Sequence, residues 1–269
     1  MWAIKQYKTT IWSGLSVLLC AVLVGCQPKQ SSQQDEPQAS TTTPQHSQEK
    51  AVESYWIEAK TRPMEAAQKR VCEDDGCTDY AFQTIQTNHQ WIDQYFEERI
   101  KKAYPVAFMA NPKQSAEQNV AENQLSQASA RVRYMGQNQT IASFELNTRS
   151  YSAGAAHGSY HNEYVNFDLK NKKRMSVDEL IVAGQQDALK NAVYNANLMW
   201  LSEHNIEREK FQLSDNFYYN GMGLVFVYPL YELASYAEGI TELAVPFIRI
   251  QSFIKPEYLP QLPEYSPDE

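Results

Sequence analysis

The stretch Tyr151–Leu180, YSAGAAHGSYHNEYVNFDLKNKKRMSVDEL, restricts the folds open to this chain more than any other. A loop of small residues carrying His157 leads into Tyr160–Leu169, which reads as a strand. Lys170-Asn171-Lys172-Lys173 turns the chain. Ser176-Val177-Asp178-Glu179 then matches a capping box, the Ser hydroxyl and Glu carboxylate satisfying opposite amides at a helix start. A strand that turns directly into a helix start calls for a sheet with helices packed on it.

The flanking sequence extends this pattern. Ser54–Lys60 and Thr78–Gln86 read as strands on either side of a short Cys loop, with Tyr80, Phe82 and Thr84 on one face. Thr87 or Asn88 caps a helix reaching about Ala103, with Trp91, Ile92, Tyr95, Phe96 and Ile100 on its apolar face. Ser115–Ser129 reads as a second, exposed helix. Ala130–Met135 and Thr140–Ser150 form a hairpin through Gly136–Gln139. Ile141, Phe144 and Leu146 break strict alternation, so a bulge is expected there. A long helix is expected over Gln185–His204, its core face carrying Leu189, Ala192, Val193, Ala196, Met199 and Trp200. Phe211–Tyr219 and Leu224–Tyr228 are strands joined by Asn220-Gly221. A turn or short helix over Tyr231–Tyr236 comes next, then a strand at Leu243–Val245 and a helix at Phe247–Ile254. The fold class is α+β, with antiparallel sheets packed against helices.

The first 51 of the 269 residues stand apart. Residues 1–25 have the form of a signal peptide: Lys5 and Lys8 precede about 14 apolar residues, too few to span a bilayer comfortably. The segment ends Leu23-Val24-Gly25-Cys26, which resembles the lipobox of bacterial lipoproteins. That resemblance implies acylation of Cys26, palmitate among the expected chains, and several acyl chains anchor where one would be marginal. Gln27 follows Cys26, as in Gram-negative lipoproteins sent to the outer membrane. Localisation there, lipid-anchored on the periplasmic or surface face, is the expectation. Residues 26–51, rich in Gln, Ser, Thr and Pro, form a disordered tether reaching roughly 25–30 Å.

The formal net charge is −8, or −10 once Lys5 and Lys8 leave with the leader. That argues against nucleic acid, whose phosphates need clustered Lys and Arg. Glu58, Glu73, Asp74, Asp75 and Asp79 cluster around the Cys loop. They read either as a solvated loop or as a patch that steers a basic partner. Cys72 and Cys77 are the even pair left in an oxidising compartment, where a disulfide is the default. The loop is so short that the bond is worth about 2 kcal/mol at most. Zinc would need two further soft ligands.

His157 and His161 are the residues that invite chemistry. An H-x3-H pair binds zinc best on one helix face, whereas Gly158-Ser159-Tyr160 lie between a loop and a strand. Glu163 and Asp168 are the acids that could complete such a site. Ser152 and Ser159 lack a G-x-S-x-G elbow, and no phosphate-cradling glycine motif is present, so no cofactor is expected. The alternative role for His157 is structural, a hydrogen bond to backbone that sets its loop. Tyr218, Tyr219, Tyr228, Tyr231 and Tyr236 enrich the C-terminal part in rings suited either to half-buried sheet positions or to binding protein or sugar.

Three segments, taken together, resemble a known family, the extracellular domain of the anti-sigma factor RsiV and related domains of unknown function, including those of PdaC-like proteins. They are Tyr151 to His157-Gly158; Asn166-Phe167-Asp168-Leu169 to Met175–Leu180; and Tyr228-Pro229-Leu230-Tyr231-Glu232-Leu233-Ala234 to Tyr236–Gly239. The match covers roughly Val52–Ile254. It implies two closely joined halves: residues 52–127 with the C-x4-C loop and 128–256 as the RsiV-like half, followed by a Pro-rich tail, 257–269. It also implies binding rather than catalysis, because RsiV-like domains recognise lysozyme and similar modules accompany peptidoglycan-deacetylase domains. The chain shows no cytoplasmic anti-sigma segment, spanning helix or deacetylase domain, and Asn171-Lys172-Lys173-Arg174 replaces the usual Thr-Gly-Lys turn. The expected function is a non-enzymatic envelope lipoprotein, with a lysozyme-type muramidase as first candidate partner. A peptidoglycan or glycan module is the alternative, and a metal-dependent hydrolase using His157 the less favoured one. The candidate binding residues are Tyr151, His157, His161, Tyr231 and Tyr236.

Overall fold

Why this sequence forms two sheets rather than one is visible in its runs of buried strand. A computed structural model describes residues 55–73, 76–110, 120–121 and 124–260. The leader, Cys26, the tether, Asp74 and Asp75, and the tail beyond Pro260 lie outside the described residues. The strands are β1 (Ala59–Pro63), β2 (Arg70–Glu73), β3 (Gly76–Thr87), β4 (Leu125–Asn138), β5 (Ile141–Tyr151), β6 (Ser159–Asp168), β7 (Lys173–Arg174), β8 (Phe217–Tyr219), β9 (Gly223–Tyr228) and β10 (Thr241–Pro246). The helices are α1 (Gln90–Ala103), α2 (Pro105–Phe108), α3 (Val177–Leu180), α4 (Gln186–Ala196), α5 (Leu198–Glu203) and α6 (Phe247–Ile250).

The larger sheet runs β1-β3-β4-β5-β6-β7, with β2 also on β3; the smaller runs β10-β9-β8. β3 and β4 pair parallel, and the other described pairs are antiparallel. The fold is α+β. Cys72 lies opposite Cys77 across β2 and β3, and the two form a disulfide.

The layers stack helix, sheet, sheet, helix. Ile92, Phe96 and Ile100 of α1 pack on Phe82, Val132, Phe144, Leu146, Val165 and Phe167 of the larger sheet. Leu189 and Val193 of α4 pack on Leu224, Phe226 and Tyr228 of β9. Between the sheets, Val225 and Val227 meet Tyr164. Every residue of β9 is therefore buried, on both faces. Gly223 belongs there because a Cβ would lie 2.0 Å from the Val245 carbonyl oxygen.

Side-chain amides complete the sheet edges. Asn216 Oδ1 accepts from Tyr164 N at 2.7 Å, and its Nδ2 donates to Asn162 O at 2.8 Å. It thus pairs with β6 as another strand would. Asn166 Nδ2 donates to Phe217 O at 2.7 Å, and Ser143 Oγ donates to Asn166 Oδ1 at 2.6 Å. At the N-terminal side, residues 55–58 are gripped from both flanks. Gln137 bonds Ile57 N and Tyr55 O, while Asn88 bonds Glu58 N and Trp56 O.

Several expectations change. Residues 125–129 are strand rather than the end of a helix; the rest of that expected helix lies almost entirely outside the described residues. The segment is polar because Gln127 and Ser129 occupy a solvent-facing row while Ala128 and Ala130 turn inward. The bulge sits on β4, where Met135 is extra between Tyr134 and Gly136. Ile141–Leu146 fail to alternate because both faces of β5 are covered. The helix expected over Gln185–His204 breaks at Asn197, whose Nδ2 donates to Val193 O and Ala244 O. The break shifts the phase of α5 relative to α4, leaving Met199 79% exposed instead of in the core. The strand expected from Phe211 is confined to Phe217–Tyr219, and the helix from Phe247 ends at Ile250. Residues 55–58 run extended before β1, which begins only at Ala59. The capping box forms as expected, with Ser176 and Glu179 each bonding the other's backbone N–H.

Asn216→Ala leaves Tyr164 N–H and Asn162 C=O without their partner, and is expected to lower unfolding stability by about 1–3 kcal/mol in urea titration. Tyr219 supplies the contrast, because its hydroxyl is buried with no hydrogen-bond partner among the described residues. Tyr219→Phe should therefore be neutral or stabilising, within about 1 kcal/mol.

Candidate functional site

The larger sheet has two unlike faces. One carries the apolar side chains beneath α1. On the other, cross-strand partners form polar rows: Asp79, Gln127, Tyr151; then Ala81, Ser129, Arg149, Tyr160; then Gln83, Arg131, Asn147, Asn162; then Arg133, Glu145, Tyr164. The smaller sheet covers the last of these, where Tyr164 and Tyr218 rings lie 4.5 Å apart. Glu145 is buried there and held by Arg133 Nε at 2.5 Å. Burial and the nearby Glu145 and Glu242 carboxylates push the Tyr164 hydroxyl up to about 12.

The remaining rows are open and form a cleft in two adjoining parts of about 510 and 590 Å³. The parts meet over Ala81, Ser129 and Arg149. One is bounded by Tyr151, Tyr160 and Tyr236, the other by the 63–69 segment. Small residues in the middle of a row make the floor low and leave the larger ones standing as walls. Arg149 Nε donates to Asn147 Oδ1 at 3.1 Å, and Asn147 Nδ2 donates to Asn162 Oδ1 at 2.5 Å. Among the described residues no carboxylate pairs with Arg131 or Arg149. Asp79, at one end, is taken by Arg70 in a two-pronged contact of 2.5 and 2.8 Å, which holds its carboxyl below the usual range.

The His157 loop closes one end. Gly158 packs so near β5 that a Cβ would lie 2.7 Å from Ser150 O. His157 is exposed, its Nδ1–H donating to Gly158 O at 3.0 Å. Its ring stacks on Tyr236 with centroids 3.8 Å apart, and the Tyr236 hydroxyl donates to the same carbonyl at 2.8 Å. Tyr231, 64% exposed, continues the line, 5.8 Å from Tyr236. It does so from a left-handed backbone, φ +70°, uncommon for a tyrosine. A hollow of about 150 Å³ adjoins these rings.

The structure thus joins Tyr151, Tyr236 and His157 around one region and extends it to Tyr231. His161 is exposed on the strand, opposite Thr148 in register, on the α1 side of the sheet with Glu163. Glu163 is itself engaged by Arg99 at 2.8 Å, and Asp168 bonds Asn171. Among the described residues no three His, Cys, Asp or Glu side chains converge as metal ligands. Of the acidic cluster, Glu58 and Glu73 are exposed.

Two features of this region escaped the sequence reading. One is the cleft itself, readable only as the polar half of the alternation in QASARVR. The other is His204, whose Nδ1–H donates to Trp200 O at 2.7 Å while Nε2 contacts Glu238. Glu238 also accepts from Ser235 Oγ at 3.1 Å. This pair ties α5 to the 3-10 turn Tyr236–Glu238 that carries the cleft wall.

Residues 178–247, from α3 to the start of α6, match a family described as a protein of unknown function, DUF3298. A DUF3298 family protein of Pseudomonas aeruginosa PAO1 has a similar fold, with TM-score 0.59 and 19% identity over 77% of this chain and 98% of that one. A DUF3298 member from Bacteroides fragilis NCTC 9343 gives 0.51 and 13%, over 74% and 94%. Comparison with curated proteins finds no match. The fold is that of DUF3298 proteins.

The His204–Glu238 pair has a defined pH signature. The Trp200 carbonyl and then Glu238 raise His204 above its ordinary 6.5, and His204 lowers Glu238 below its ordinary 4.5. The histidine's contribution is full below 6.5 and is lost as pH rises through its raised folded value. The glutamate's is full above 4.5 and is lost as pH falls through its lowered one. The thermal midpoint difference between wild type and His204→Gln should therefore be largest between about pH 4.5 and 6.5 and shrink on the alkaline side. A difference that grows above pH 8 would contradict the pairing.

Proposed function

We propose that the protein is an envelope-anchored, non-enzymatic binding lipoprotein that presents the open face of its larger sheet to a target in the cell envelope. The observation that carries this reading is the cleft: open, walled by tyrosines, with two arginines free of carboxylates among the described residues. Concave sites with a few convergent polar groups are where ligands are held. His157 supports the reading too, because its ring and Nδ1 are engaged in shaping the cleft wall rather than aimed at a reacting group. The LVGC sequence ending at Cys26 supports anchoring.

Two targets follow from different observations. A lysozyme-type muramidase, as in RsiV-like domains, is favoured by the net charge of −8, which attracts a basic protein. Calorimetric titration of the full chain with lysozyme at physiological salt should then show saturable heat; none at tens of micromolar removes this target. A peptidoglycan-type glycan is favoured by the cleft, and retention on purified sacculi that resists added salt would support it. Cys26→Ser should shift the protein from the membrane to the soluble fraction of its host. Retention of that variant on membranes would remove the lipid anchor.

A further inference from the structure

We infer that the cleft binds a chain of acetamido sugars bearing carboxylates, and that Arg149 is the carboxylate anchor. The inference rests on the glycan reading above and names its ligand class.

Three observations converge. First, the Arg149 guanidinium is both positioned and incompletely used. Its Nε is engaged by Asn147, which is in turn fixed by Asn162. Asn162 O accepts from Asn216, so this relay ends on the joint between the sheets. The two Nη groups have no hydrogen-bond partner among the described residues, and a guanidinium end matches a carboxylate with paired hydrogen bonds. Second, this cationic spot lies on a protein of net charge −8. Two arginines in such a setting select local anions, and are too few to track a polyphosphate backbone. Third, the walls suit sugar rings. Tyr151 and Tyr160 line the wall as rings with polar tips, Tyr236 stands beside them braced by His157 and the Gly158 carbonyl, and Ser129 and Gln127 supply hydroxyl and amide groups along the floor.

An extended peptide fits less well. Peptides add to sheets through free strand edges, whereas β4 and β5, which form the floor, are hydrogen-bonded on both sides along the cleft. Only the face is available, and a face is read by side chains. A combined length of two adjoining hollows accommodates several rings in a row.

The carboxylate can come from the lactyl ether of muramic acid or from a peptide stem. The test uses the full chain and three soluble probes in calorimetry. These are a peptide-free tetrasaccharide alternating N-acetylglucosamine with N-acetylmuramic acid, the same tetrasaccharide with its stems, and chitotetraose, which has similar rings without the acid. At least one acidic probe should bind ten-fold or more tighter than chitotetraose, and which one identifies the source. Arg149→Gln should erase that preference, lowering affinity for the acidic probe to that of chitotetraose, with thermal unfolding of the variant checking that it remains folded. Equal affinity for all three probes overturns the carboxylate anchor but leaves the glycan reading standing. Retention on sacculi without affinity for any probe overturns the cleft as the site, and no retention on sacculi removes the reading beneath it.

Discussion

The carboxamide of Asn216 is the contact on which the rest of this structure depends. A backbone N–H or C=O taken out of water must find a partner or destabilise the fold by an amount comparable to a lost hydrogen bond. Strand β6 has its β5 edge paired along its length, but β7 covers the other edge only at Phe167 and Asp168. The gap at Asn162 and Tyr164 is filled by one side chain, which arrives from the start of β8. The same segment sends Phe217 O to Asn166 and receives Val177 N at Asp215. Three consecutive residues, 215–217, therefore fix β6, the start of α3 and the smaller sheet to one another. Hydrogen-bond direction gives this joint an orientation that the apolar seam of Tyr164, Val225 and Val227 alone would not impose.

That joint also divides the second face of the larger sheet into covered and open parts. Beneath the smaller sheet, polar residues are spent on structure: Ser143 on Asn166, Arg133 on Glu145. Beyond it the same strands continue with the same alternation, but no described element packs over them, and their polar residues face the cleft. Fold and site are thus two ends of the same four strands. The amide relay from Asn216 through Asn162 and Asn147 runs from one to the other.

How much of this was legible depended on whether the determinant was local. The capping box at Ser176 read correctly because its partner lies within one turn, and the apolar face of α1 because its helical spacing is itself local, although the sheet it packs on is distant in sequence. The tight turn at Asn220 did too, its Oδ1 taking Met222 N and Gly223 N. Residues 125–129 misread because a strand with one open face and small buried residues has no strong apolar signal. Ile141–Leu146 read correctly as strand, but cover on both sides removed their alternation and put the expected bulge on β5 instead of β4. The break at Asn197 depends on Ala244, 47 residues away. The candidate site was partly legible: His157, Tyr151, Tyr231 and Tyr236 share one end of the cleft. Arg149 and Asn147 looked like ordinary exposed strand residues, since nothing in their own segment says which rows a second sheet will leave bare.

The paired clamps on residues 55–58 have a mechanical consequence. Any pull arriving from the N-terminal side reaches the folded body at this short extended segment, before it reaches a strand. Asn88 and Gln137 grip alternate peptide groups from opposite flanks, through four side-chain bonds of 2.7–3.0 Å. Side-chain amides can swing away and return without unzipping a ladder. Parting of these side-chain bonds, and of the backbone bond from Asn88 N to Glu58 O, leaves the β1–β3 register from Ala59 onward intact.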